Sequence, residues 1–237
     1  MEKVNNPLQA CKDIIFKPNH VFATLEDAKN WSWVPFILVV LCAALPNYLY
    51  FETVDFQWYK EMMVNAQMSD VSPAEKEAAR QQLEQSHQFM GMGFSVLMTT
   101  IGFIIVNAIV AAYLNLTTRN DEYSTNGFTD WYGFAWWVSI PAALAGLVSA
   151  LVILLFGSEQ MLPSIMAATS VGYWLSIPVE SDWFGFGQAL TLESLWMIYL
   201  LAVGISQWTR LPSKTIWMIA ALPFAVIWGG WLLVLLF

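Results

Sequence analysis

Long apolar runs, separated by shorter polar stretches, dominate the chain. About 20 consecutive apolar residues in helical form cross the ~30 Å hydrocarbon layer of a bilayer. Residues 31–51, 89–116, 131–156 and 215–237 are such runs. A fifth, 189–207, is apolar except for Glu193 near its start and counts as the fourth span in chain order. The pattern therefore predicts an all-α polytopic integral membrane protein with five transmembrane helices.

Residues 160–179 are also uncharged and mostly apolar, but Pro163 and Pro178 close them in. The ~14 residues between those prolines would reach roughly 21 Å as a helix. That is short for a crossing, so the segment is expected to be a re-entrant or interfacial helix at one membrane face.

The polar stretch 52–88 is the longest. Ser72, Pro73, Ala74 and Glu75 read as a helix start, with Ser72 as cap, Pro73 at the first helical position and Glu75 completing a capping box. The polar helix that follows is expected to run unbroken into the second span. Residues 54–68 are expected to extend the first span in the same way, giving a projecting helical hairpin. Within residues 1–30, Leu8, Cys11, Ile14 and Ile15 fall at helical spacing. Such an amphipathic helix lies on the inner membrane surface or packs on the ends of the bundle, and the spacing fits both. Lys12, Asp13 and Lys17 leave no continuous apolar core here, so the segment does not read as a cleaved signal. The first span is expected to remain as an anchor.

Composition agrees with a membrane protein. Hydrophobic residues are 57% of the chain and charged residues only 12%, about half the usual share of a soluble domain, which is about 25%. Thirteen tryptophans suit the membrane–water boundary. The formal net charge of −8 argues against nucleic acid as a partner, because phosphate binding needs clustered Lys and Arg. Cys11 and Cys42 are expected at different depths and unpaired, and no Cys/His spacing suggests a metal or cofactor site.

The basic residues orient the spans. With the N-terminus inside and five crossings, Lys3, Lys12, Lys17, Lys29, Arg119, Arg210 and Lys214 lie on the cytoplasmic side. Lys60, Lys76 and Arg80 lie outside, all in the long loop. This excess obeys the positive-inside rule. A sixth crossing at 160–179 would move Arg210 and Lys214 outside and lose the bias.

Several segments together form a recognisable pattern. They are Ile14-Ile15-Phe16-Lys17-Pro18, Val21-Phe22-Ala23-Thr24-Leu25 and Pro35 opening the first span. Further on come Gly133-Phe134-Ala135, Ser139-Ile140-Pro141, Gly204 and the Thr209-Arg210 turn. The chain resembles the Yip1 family in its bacterial branch, over most of its length. The resemblance implies five spans, a cytoplasmic N-terminus, an extracytoplasmic C-terminus and residence in the bacterial cytoplasmic membrane. Eukaryotic relatives associate with small Rab-type GTPases and with each other, but a bacterium lacks that traffic machinery, so the GTPase partner is not carried over. Residues 31–237 then form the Yip1-like domain, residues 1–30 its cytoplasmic segment, and 52–88 an extracytoplasmic insert for which the family pattern has no counterpart.

Candidate chemistry is sparse. Glu193 lies 17 residues before Arg210, roughly 25 Å along a helix, inside or at the edge of the hydrocarbon layer. Intramembrane carboxylates face a cavity or a partner; the plainer reading is an acid at a helix start, favoured by the dipole. Asn107, Asn47, Thr99 and Thr100 are the other intramembrane polar candidates, as helix ties or as substrate contacts. Pro46, Pro141 and Pro223 free backbone carbonyls inside spans. Glu159, Glu180 and Asp182 match no cation-binding loop. No catalytic signature accompanies His20 or His87.

Three functions follow in order. The first is a non-enzymatic membrane organiser or scaffold, acting through self-association or other membrane proteins. The small-residue stretch 142–146 is its candidate contact. The second is a transporter or lipid flippase with a polar path through Glu193 and Asn107. An intramembrane enzyme comes last. Membrane lipids are expected partners in every case.

Overall fold

The structure, a computed structural model, describes residues 4–28, 30–67, 71–84, 87–121 and 123–237. Lys3 and Lys29 of the basic-residue count, Met68 at the end of the 54–68 segment, and residues 85–86 of the outer-loop helix lie outside the described residues.

The chain is built from helices. In order they are α1 (Pro7–Phe16), α2 (Pro18–Leu25), α3 (Trp33–Thr53), α4 (Phe56–Gln67), α5 (Pro73–Glu84) and α6 (Gln88–Thr118). Then come α7 (Phe128–Val138), α8 (Ile140–Phe156), a 3-10 turn (Pro163–Ala167), α9 (Val171–Trp174), α10 (Trp183–Ala189), α11 (Leu192–Trp208) and α12 (Ser213–Leu236). Among the described residues, four helical stretches are long and apolar enough to cross a membrane: Trp33–Thr53, Gln88–Thr118, Phe128–Phe156 and Ser213–Leu236. The expected fourth span, α11, has 17 residues and is shorter than these.

Local chemistry decides where helices stop. Asn6 caps α1 by accepting from the Gln9 N–H at 2.8 Å. Lys17 precedes Pro18, whose ring disfavours helical geometry in the residue before it. Lys17 accordingly sits at φ −137°, ψ 52°, and splits α1 from α2. The expected continuous extension of the first span fails for a similar local reason. Val54 is extended (φ −70°, ψ 139°), and Asp55 accepts from the N–H groups of Gln57 and Trp58, starting α4 afresh. His87 is extended as well (φ −103°, ψ 146°), so the outer-loop helix does not run unbroken into the second span. The α5 start follows the sequence reading. Ser72 N–H donates to the Glu75 carboxylate at 2.9 Å, and Ser72 Oγ accepts from Glu75 N–H at 3.4 Å. Between α4 and α5, Arg80 pairs with Glu61 at 3.1 Å.

The third apolar run is two helices. Pro141 lacks an N–H, leaves the Trp137 carbonyl without its helical donor, and the helix breaks at Ser139. Residues 160–179 are likewise not one helix. They fold as the 3-10 turn and the single turn α9, restarted by Ser170, whose Oγ accepts from Tyr173 N–H at 3.1 Å. Ser176 then takes a left-handed backbone, φ 50°, and ends the turn. These pieces are anchored inward: Tyr50 Oη donates to the Met161 carbonyl at 3.0 Å, and Ala168 N–H to Ser149 Oγ at 3.0 Å.

Packing concentrates where α3 meets α8. At Gly146 a Cβ would run into the Cys42 carbonyl oxygen, so only glycine permits this approach. The small-residue stretch 142–146 is thus used within the chain. One core cluster joins α1, α2, α7, α11 and the start of α12 around Trp131, Phe134, Trp136 and Trp137. A second, at the other end, joins the end of α3 and the end of α8 around Tyr50, Phe51 and Ile153. By contrast α6 and α12 leave long apolar faces exposed, including Ile105, Ile109, Val226 and Val234.

Candidate functional site

The polar residues singled out within the apolar runs lie in three places. In α3, Asn47 follows Pro46 and faces α6. Its Nδ2 donates to Thr99 Oγ1 and to the Ala43 carbonyl, each at 3.3 Å, and its Oδ1 accepts from Ser95 Oγ at 2.6 Å. Thr100 turns back on its own helix, donating to the Val96 carbonyl at 2.9 Å. Eight residues beyond Thr99 along α6, roughly 12 Å, Asn107 is only 3% exposed. Its Nδ2 donates to the Phe103 carbonyl at 2.9 Å, and its Oδ1 accepts from Ser139 Oγ at 3.0 Å. Ser139 is the residue at the α7–α8 break, so this bond pins the kink to α6. The amide oxygen and nitrogen of both Asn47 and Asn107 are thus engaged.

Glu193 stands apart from both. It lies in the first turn of α11, where the helix dipole favours a negative charge. It lines an open groove of about 230 Å³ between α8 and α11, with Ile15, Pro141, Leu144, Val148 and Trp196 along the walls. The groove is almost wholly apolar, and Glu193 Oε2 is buried there without a hydrogen-bond partner among the described residues. Asn107 bonds to Ser139, and Glu193 makes no hydrogen bond to it.

At one end of the bundle the segments that carried the family resemblance converge. Phe22 of α2 packs on Phe134 of α7 at 4.9 Å between ring centroids, and Trp208 of α11 sits 4.9 Å from Phe134 and 5.2 Å from Trp131. Gly204 makes room, since a Cβ there would strike the Phe134 ring. Beside this cluster Arg210 N–H donates to the Asp121 carboxylate at 2.7 Å, and its guanidinium lies 3.6 Å from the Tyr123 ring centre.

The opposite end holds a cleft that the sequence reading did not single out. It has a volume of about 1010 Å³ and lies between the α3–α4 hinge, the start of α6 and Glu159. Glu159 belongs to this hinge, through an Asp55 N–H to Glu159 carbonyl bond of 2.7 Å. Among the described residues no group of three His, Cys, Asp or Glu is arranged to hold a metal ion. The signal available in the sequence was Asp55, a helix cap placed where the first span was expected to continue.

A family model described as Yip1 domain matches residues 12–236. No curated protein and no solved structure matches the chain. The family match and the four long apolar helices mark a membrane protein. Covered over nearly its whole length, the chain belongs to the Yip1 domain family.

Proposed function

We propose that this protein is a non-enzymatic membrane organiser, acting through self-association or through other membrane proteins. One observation carries the reading: the polar side chains inside the spans are tied to each other. Asn47 is bonded to Ser95 and Thr99, and Asn107 to Ser139, around a core of interlocked aromatic rings. Such ties stiffen a bundle; a substrate path would leave those groups available. The surfaces offered to partners are then the exposed apolar faces of α6 and α12. In a Cys11→Ala, Cys42→Ala background, cysteines at Ile105, Ile109, Val226 and Val234 should cross-link in native membranes to a second copy or to another membrane protein. Monomer at all four positions overturns the reading.

The proposal places the chain in a bacterial cytoplasmic membrane with five crossings, N-terminus inside and C-terminus outside, and the α4–α5 hairpin on the outer side. Support comes from α11. Its 17 residues would reach about 25 Å, at the short limit for a crossing. Its two ends lie at opposite ends of the bundle, Trp208 beside α2 and Thr191 bridged to Ser170. Single cysteines at Ser124 and Ser181 should be labelled from opposite sides; labelling from one side only overturns five crossings.

A second reading, a transporter or lipid flippase, is favoured by the unpartnered Oε2 of Glu193 in its apolar groove. Glu193→Gln keeps the size and removes the charge. Under this reading the variant folds but loses the cellular activity; under the organiser reading activity stays.

A further inference from the structure

We infer that the cleft at the α3–α4 hinge binds the headgroup of an aminophospholipid, one carrying both a phosphate and a primary ammonium. The inference rests on the protein lying in a membrane and does not depend on the organiser reading.

The first observation is Lys60. It lines the cleft, yet the residue is only 7% exposed. Its Nζ stands 5.3 Å from the Phe56 ring centre, and no carboxylate among the described residues pairs with it. A largely buried lysine whose ammonium opens on a cleft without a paired carboxylate favours a ligand that supplies the anion. The second observation is the acid opposite. Glu52, Asp55 and Glu159 line the same cleft. Asp55 is engaged in capping α4, which leaves Glu52 and Glu159 with carboxylates that make no hydrogen bond among the described residues.

A single cleft thus offers one cation and two available anions. A simple anion would meet the two carboxylates, and a simple cation would meet Lys60. A ligand with both signs suits both: its phosphate takes Lys60, and its ammonium takes Glu52 and Glu159. A primary ammonium donates three hydrogens to those oxygens, whereas a trimethylated amine donates none.

Placement selects a lipid over a soluble molecule of the same chemistry. The cleft sits where α3 ends and α6 begins. Phe89 lines it and is also 79% exposed, and the exposed Phe94 and Leu97 continue along α6. Acyl chains leaving the cleft have this apolar surface to follow.

The test is native mass spectrometry of the full chain in detergent, titrated with dioleoyl phosphatidylethanolamine, phosphatidylcholine or phosphatidylglycerol. The ethanolamine lipid should bind roughly tenfold tighter than the other two, the scale of one hydrogen-bonded charge contact. The double change Glu52→Gln with Glu159→Gln should erase that preference, Lys60→Met should weaken binding of all three lipids because each carries the phosphate, and Lys60→Arg should keep both affinity and preference. A melting transition in detergent checks that each variant folds; should Lys60→Met fail to fold, the double variant on the exposed rim decides. Equal binding of the three lipids, tighter binding of the glycerol lipid, a preference that survives the double change, or binding of all three lipids unaffected by Lys60→Met overturns the inference. Soluble phosphoethanolamine should not compete at equal concentration; if it displaces the lipid fully, the lipid assignment is overturned.

Discussion

The indole N–H of Trp208 donates to the carbonyl oxygen of Phe22 at 2.9 Å, joining residues 186 positions apart. Through this bond and the aromatic cluster around it, the N-terminal helices are held on the ends of α7 and α11. The periodicity of Leu8, Cys11, Ile14 and Ile15 fitted both membrane surface and bundle as its partner. Cys11 and Ile14 turn to the bundle, while Leu8 and Phe16 remain exposed.

The burial of Cys11 pushes its thiol up to about 11. In a Cys42→Ala background its maleimide labelling should be slow and should keep rising with pH towards about 11, where an exposed thiol has levelled off. The folded value is raised, so the protonated form is favoured on folding, and this contribution to stability should decline as the pH passes the ordinary value of 9.0. Phe22→Ala should release the segment and accelerate labelling severalfold. Labelling of the unaltered chain that plateaus at an ordinary thiol pH would contradict this packing.

Gly146 has the tightest requirement in the bundle. Gly146→Ala drives a methyl into the Cys42 carbonyl and should cost about 1–3 kcal/mol through separation of α3 from α8. Thermal melting in detergent measures it. The same change at Gly102, where nothing lies within 4 Å of the added carbon, should leave the transition in place.

A double-mutant cycle on Asn107→Ala and Ser139→Ala should give a coupling of about 0.6 kcal/mol, the usual size for a hydrogen bond between membrane helices. Ser139 Oγ can still donate to the Ala135 carbonyl at 3.0 Å after Asn107 is removed, which keeps the cost small. Coupling of several kcal/mol would point to a role beyond tying α6 to the α7–α8 break.

The Ser72 hydroxyl and backbone N–H hold the Glu75 carboxyl below its ordinary value of 4.5. The folded value is depressed, so this contribution is present above that value and is lost as the pH falls below it. Hydrogen-exchange protection across Pro73–Glu84 should therefore drop between about pH 7 and pH 3, and Ser72→Ala should lower it at neutral pH. Protection that is unchanged in both cases would remove the capping box from the account.

What could be read from the sequence follows from one-dimensional physics. A run of apolar residues longer than the hydrocarbon thickness needs lipid, so the long apolar helices were legible in order and approximate bounds. The Ser72 box was legible because capping involves residues three apart. The break at Val54–Asp55 was missed, although Asp55 carried a local hint; the break at Ser139 falls at Pro141, one of the three prolines read as freeing backbone carbonyls inside spans. Pairings were beyond reach. Asn107 was a plain intramembrane amide until the fold brought Ser139 to it from 32 positions away. Glu193 was read as an acid at a helix start or as facing a cavity or partner; it lies in the first turn of α11 and lines an apolar groove. Lys60 counted as one loop charge until the hinge folded it beside Phe56, in a cleft that Glu159 also lines. Hydropathy records how much surface a segment must hide from water; which side chains then touch depends on where helices bend and how closely Gly146 and Gly204 let them approach, and only the tertiary structure decides that.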